Sequence, residues 1–472
     1  MLVVSCFAAS AAFGNLTIEV TQGVDNAVRA AVVPFAWRGR GGLPEDVAEV
    51  IDSDLTLSGR FETLPVDQML SLPNESGDVF FRDWRLLDVE YLVIGYLEPG
   101  PEVEPAAVSM GGAAPGTTPG TSPGTTPGAT EAVTGAQSAG ERRVRMTFEL
   151  YNIFQQKSVV KQTIEGNLDD LRDMAHYVSD VAFRELTGIE GAFSTRIMYV
   201  TSSGPPDDAI FRLNIADADG HRVETILTSR EPILSATWAP DGERVAYVSF
   251  EDQGRPAIYI RDIASGLVQK VTSYRGSLNG APAFSPDGKN LALVLSKDGS
   301  PDIYVLNLET RRLRRITRHY GIDTEPSWTA DGKKIVFTSN RGGQPQIYMM
   351  TLADLTIERL TFEGDYNARA SMLPDGSGLI MVHRRDGIFH IALLDLKRGR
   401  LTVLTQTALD ESPSIAPNGS MLIYATQLGG EGILAAVSID GGVKFNLPSS
   451  EGDVREPAWS PMKRREFTPI PE

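Results

Sequence analysis

Cysteine is almost missing from this chain: one residue, Cys6, among 472. An intrachain disulfide is therefore excluded, and so is a cysteine-based metal cluster. Positive charge is also scarce. Forty-four Lys and Arg face 61 Asp and Glu, a net charge of −17. Binding to a nucleic-acid backbone needs a basic surface, so nucleic acid is excluded as an expected partner. A cationic protein surface fits better, since long-range attraction would steer it. No run of about 18 apolar residues occurs, so no spanning helix is expected. The five histidines show no His-Glu-x-x-His spacing. His176 is expected as half-buried packing on a helix, and His383 and His390 as outward-pointing residues flanking a hairpin.

The N-terminal "MLVVSCFAASAAFG" is apolar and rich in small residues. Residues 1–14 read as the remnant of a secretory signal, cleaved near Ala12-Phe13-Gly14, although a positive leading region is missing. A mature chain from Asn15 would contain no cysteine, which suits the periplasm. Aromatic residues are absent from residues 99–140, where Pro, Gly, Thr and Ala dominate. Such a segment cannot bury enough apolar surface to offset its ordering entropy. It separates "EYLVIGYLE" from "RRVRMTFELYNI", two strand-like runs, and reads as a disordered loop between strands of one domain. That domain spans 15–191. "VRAAVVPFAW" reads as a strand, and "LPEDVAEVIDSDLTLSG" as a helix with Pro44 near its start. "NLDDLRDMAHYVSDVAFRELTG" reads as an amphipathic helix stopped by Gly188. Strands mixed with helices imply a small α/β domain.

From residue 192 to 472 the texture changes to short strands and turns. Asp241, Asp287, Asp331, Asp375 and Asn418 mark one turn motif that recurs every 43 to 46 residues, as in "FSPDGK". That period, with four short strands per unit, is the signature of a β-propeller blade. Three strands precede the first motif without a first strand, and "VREPAWS" is a first strand with nothing after it. The count is six blades, closed by a clasp of three N-terminal strands plus one C-terminal strand. The motif itself is architectural. Pro sets φ, Asp bonds the local backbone, and Gly takes the left-handed position that ends the hairpin. "GTSPG" at 120–124 matches a hydrolase elbow only by chance, because Pro123 lacks the N–H an oxyanion hole needs. The basic run "TRRLRRITRHY", 310–320, reads as a solvated outer face. The loops entering the inner strands carry Glu231, Asp323, Glu325, Asp365, Asp410, Glu411, Asp453 and Glu456. Together they are expected to form an acidic channel mouth that receives a basic protein patch or a divalent cation.

The segments "GVDNAVRAAVVPFAW", "NGAPAFSPDGK", "DTEPSW", "DESPSIAPNGSMLIY" and "REPAWSP" resemble those of the TolB family, the periplasmic components of the Tol–Pal cell-envelope system. The resemblance covers Asn15 to about Pro461. It implies protein binding without catalysis: the propeller face would bind the lipoprotein Pal, and the segment 15–33 the C-terminal domain of TolA. It carries Pal contact onto Leu278, Asn279, Gly280, Ala281, Thr324 and Glu325. TolA contact falls on Ile18, Val20, Gly23, Val24, Asp25 and Val32. It further implies a monomer that engages other envelope proteins, with roles in outer-membrane integrity, constriction at division and protein import. No cofactor is expected, although calcium in the channel is compatible with the family. Family members can carry His where this chain has Leu278, and the loop at 99–140 exceeds the family's usual length. The competing class is an enzyme, a propeller hydrolase or lyase acting on an envelope saccharide or peptide at the channel.

Overall fold

A computed structural model describes residues 27–101, 143–407, 409–447, 452–462 and 467–470. Its first domain is built on a mixed sheet. The strands are β1 (Val28–Val32), β2 (Ala36–Trp37), β3 (Phe61–Thr63), β4 (Tyr91–Pro99), β5 (Arg143–Asn152) and β6 (Lys157–Asn167). Their order is β3-β1-β4-β5-β6, with β2 beside β4. β1 runs parallel to both β3 and β4, while β4, β5 and β6 are antiparallel. Pro99 of β4 pairs with Val144 of β5, so the Pro/Gly-rich segment connects two adjacent strands of one sheet.

Alternation along β1 divides the apolar side chains between two faces. Ala30 and Val32 join α1 (Val47–Leu57) and α3 (Leu171–Thr187) in one core. Ala31 and Val33 join Trp84, from the short α2 (Phe81–Leu86), in the other. The Asp46 side chain caps α1 by accepting from the backbone N–H of Ala48 and Glu49. Gly188 ends α3 at φ 73°, the left-handed stop expected from sequence.

The propeller follows. β7 (Arg196–Ser203), β8 (Ile210–Asp217) and β9 (Glu224–Ser229) form one sheet with the C-terminal strand Asp453–Trp459, which lies against β7. Five further four-stranded sheets complete a six-bladed ring. At each repeated turn the acid or amide works locally. The Asp287 carboxylate accepts from the Ser285 hydroxyl and the Lys289 backbone N–H, and Gly288 sits at φ 67°. Beyond the clasp the tail returns to the first domain. Phe467 packs edge-on against Tyr177 of α3, and Ile470 donates its N–H to Thr163 of β6.

A buried ion network fastens the domains together. From α3, Arg172 bonds Glu45 at 2.6 Å, Asp217 at 3.2 Å and Asp219. Arg222 bonds Asp217 at 2.7 Å and also Asp173. His176, expected as half-buried packing, is instead 2% exposed at the centre of this network. Its Nδ1 lies 2.8 Å from Asp54, and its Nε2 lies 3.8 and 4.0 Å from Asp217 and Asp219. Asp54, His176 and Asp219 are close enough to suggest a metal site. The surrounding charge favours a proton instead: Asp54, Asp217 and Asp219 all face His176, and a proton on the imidazole offsets part of their charge. Burial alone would lower the His176 pKa, but Asp54 and Asp217 outweigh it and raise it well above 6.5.

The sign of the pH effect follows. A raised folded-state pKa gives stability that is complete below the unfolded value and lost as pH climbs through the folded one. His176→Gln is expected to lower stability by roughly 3–5 kcal/mol below about pH 6.5. The gap to the native chain should narrow as pH rises above that. Thermal unfolding of both chains across pH checks this; a gap independent of pH would show that His176 carries no charge.

Candidate functional site

The inner strand of every blade carries the same irregularity. Each shifts register against its neighbour at a two-residue bulge, and the first residue of each bulge is left-handed. These are Ser235, Ala281, Glu325, Arg369, Ser412 and Glu456, with φ between 45° and 53°. None is glycine, so each costs on the order of 1–3 kcal/mol of backbone strain. Bulges re-aim side chains, and here all six residues line a central cavity of about 170 Å³.

Three of these side chains form a clamp across the ring. Arg369 Nε bonds Glu325 Oε1 at 3.0 Å, and its far nitrogen bonds Glu456 Oε1 at 2.9 Å. A further nitrogen bonds the Ser412 hydroxyl. Glu325 Oε2 also accepts from Thr338, and Glu456 Oε2 from the Ser235 N–H, at 2.8 and 2.9 Å. Burial opposes the Arg369 charge, but Glu456 and Glu325 outweigh it and raise its pKa further.

The expected open acidic mouth is therefore corrected. Glu325 and Glu456 are both paired with the single cation Arg369, which offsets half of their charge. Asp323 is fully buried, bonding Arg341 at 2.7 Å and the Ser339 hydroxyl at 2.6 Å. Asp410 is buried among the hydroxyls of Thr405, Thr407 and Thr426. Asp365 pairs with Arg384 at 2.6 Å, and Asp453 accepts from the Gly432 N–H. Asp323 and Asp410 are thus taken up inside the loops, while Glu231, Asp365 and Asp453 stay exposed. His383 is corrected too: it is 4% exposed, with Nδ1 2.8 Å from Asn367, and His390 is half-buried.

The face also exposes apolar side chains. Leu234, Leu278, Ile322, Phe362 and Leu409 project from the inner-strand ends of five blades, beside Tyr320, which is 88% exposed. Apart from Leu278, carried over by resemblance, sequence reasoning weighed acids and passed over these residues. Their signal was available: each precedes a buried inner-strand position by only a few residues.

Of the residues carried over by resemblance, Leu278 is 45% exposed on this ring. Asn279 is buried, its amide donating to Tyr274 and Ser277 carbonyls. Gly280 is half-buried, and Ala281 lies on the channel lip. Thr324 is half-buried beside Glu325. Val32 is 2% exposed in the sheet core. Ile18, Val20, Gly23, Val24 and Asp25 lie outside the described residues, as do residues 1–14 and most of the loop.

The chain is thus a propeller with an α/β companion domain, exposed apolar side chains beside its channel and an arginine–glutamate clamp within it. Two family models match in turn: "TolB amino-terminal domain" over 16–104 and "TolB beta propeller domain" over 183–463. The chain is 50% identical over 448 residues to the Tol-Pal system protein TolB of Alcanivorax borkumensis, covering 95% of this chain and 93% of that one. Against the Pseudomonas syringae pv. tomato protein of the same name it is 45% identical over 465 residues, 98% of each chain. The crystal structure of TolB from Acinetobacter baumannii matches with a TM-score of 0.79 at 37% identity, over 95% of this chain and all of that one. The chain belongs to the TolB family of Tol–Pal system components.

Removing the clamp cation strands two half-buried carboxylates. Arg369→Ala is expected to cost roughly 1–3 kcal/mol. Adding Glu325→Gln and Glu456→Gln should recover part of that loss, because no uncompensated charge then remains. Urea unfolding of the three chains checks this; a triple variant less stable than Arg369→Ala would disprove the charge argument.

Proposed function

We propose that the protein is a periplasmic adaptor that binds Pal through the apolar ring of the propeller and the TolA C-terminal domain through the segment ahead of β1. The observation that carries this reading is the ring itself. Five blades present large apolar side chains around a channel whose glutamates are already paired with Arg369. Water leaves such a surface favourably when a protein covers it. Membership of the Tol–Pal family supports the choice of partners. In this reading the protein is a non-enzymatic monomer in the periplasm, and the channel requires no cation. Its cellular role is outer-membrane integrity and constriction during division.

Val28 to Val33 form core strand and sheet contacts, so TolA contact is assigned to residues 15–26 alone, without Val32.

Isothermal titration with purified Pal tests the face. Leu278→Glu with Ile322→Glu is expected to weaken binding about tenfold to a hundredfold while leaving the fold intact. Unchanged affinity would remove the face from consideration. For TolA, deletion of residues 15–26 should abolish binding of its C-terminal domain with no change in the unfolding midpoint. Full retention of TolA binding would refute the assignment.

A further inference from the structure

Apart from Tyr320, the basic run at 310–320 is not absorbed by the docking ring. It forms the outer strand Leu313–Arg315 of the second blade and the turn that follows. Two of its arginines serve the fold: Arg311 bonds the Val271 carbonyl, and Arg315 bonds Asp302 and the Thr317 carbonyl. Arg312, Arg314 and Arg318 are exposed, and among the described residues their side chains make no hydrogen bond or ion pair. Three unpaired arginines together are unusual on a chain of net charge −17.

These arginines border a cavity of about 570 Å³ between the second and third blades. Its far wall is apolar, formed by Met350, Leu355 and Ile357. Leu355 and Ile357 are 39% and 38% exposed. Both bounding strands, Leu313–Arg315 and Ile357–Arg359, are edges of their sheets, hydrogen-bonded on one side only. The acid on these two strands, Glu358, does not line the cavity. Charged residues on an edge strand can serve only to deter aggregation. That role calls for a charge on a flat edge, and not for a cleft with a basic wall opposite an apolar one.

We propose that this interblade groove docks an acidic, extended peptide segment of a partner protein. Carboxylates would meet Arg312, Arg314 and Arg318, and alternate apolar side chains would meet Leu355 and Ile357. An extended strand alternates its side chains in this way. Arginine suits carboxylates because its planar fork bonds them bidentately. None of the residues lining the groove lines the central channel.

Fluorescence anisotropy on the full chain tests this with a labelled peptide of about eight residues alternating Glu and Val. Saturable binding is expected, weakening as salt is raised. Arg312→Glu with Arg314→Glu and Arg318→Glu should weaken it at least about tenfold. The milder Leu355→Ser with Ile357→Ser should also weaken it, and circular dichroism should show every variant folded. A peptide with Lys in place of Glu should not bind. Absence of saturable binding, or equal binding by the charge-reversed chain, overturns the proposal. So does arginine-dependent binding to phosphatidylglycerol vesicles without peptide binding, which would assign the groove to a lipid surface.

Discussion

Ring closure is the constraint on which the rest of this molecule depends. A propeller sheet has two edges, and a ring with one gap would expose both beside the gap. Here Val454 pairs with Thr201 and Trp459 with Ile197, so the last strand completes the sheet begun by β7, the sixth blade when counting starts at the sheet opened by Ile233. Every inner strand then points into one channel at a fixed angle. The six bulges converge only because the six sheets are held in a circle. The Arg369 clamp acts across that circle, joining side chains from the third, fourth, fifth and sixth blades. Its charge pairing becomes possible once closure has placed residues 44 and 87 positions apart side by side.

The same convergence explains why the acids do not make a reactive centre. Acidic side chains near an inner-strand start are drawn into capping: Asp323 and Asp410 satisfy donors that the loops would otherwise bury unpaired. Charge-paired and strained, the channel lip suits support better than chemistry. The surrounding apolar side chains then stand on a stiff base, and a partner need not pay to order them. That stiffness connects local backbone geometry to the docking role.

Much of the architecture was legible in the sequence. The turn motif gave the blades because Pro, Asp or Asn, and Gly are dictated by local dihedral angles, and local rules leave local marks. Helix α3 was legible for the same reason, from its apolar face to Gly188. The bulges were not. Left-handed Ser, Ala, Glu and Arg carry no glycine signature, and only packing between blades enforces them. His176 was misread because its partner Asp54 lies 122 positions away, and no periodicity reports such a pairing. The clamp was half legible: Glu325, Arg369 and Glu456 occupy equivalent places in their repeats. Weighing acids alone concealed the cation among them.

β1 lies in the sheet between β3 and β4, parallel to both. β1 is therefore a strand held on both sides. Tension applied along that axis loads the flanking hydrogen bonds in shear, so they must yield together and not one at a time. A hairpin at a sheet edge, pulled across its strands, would unzip under far less force. Pairing on both sides makes β1 the strand of the first domain best placed to resist a pull along its own axis.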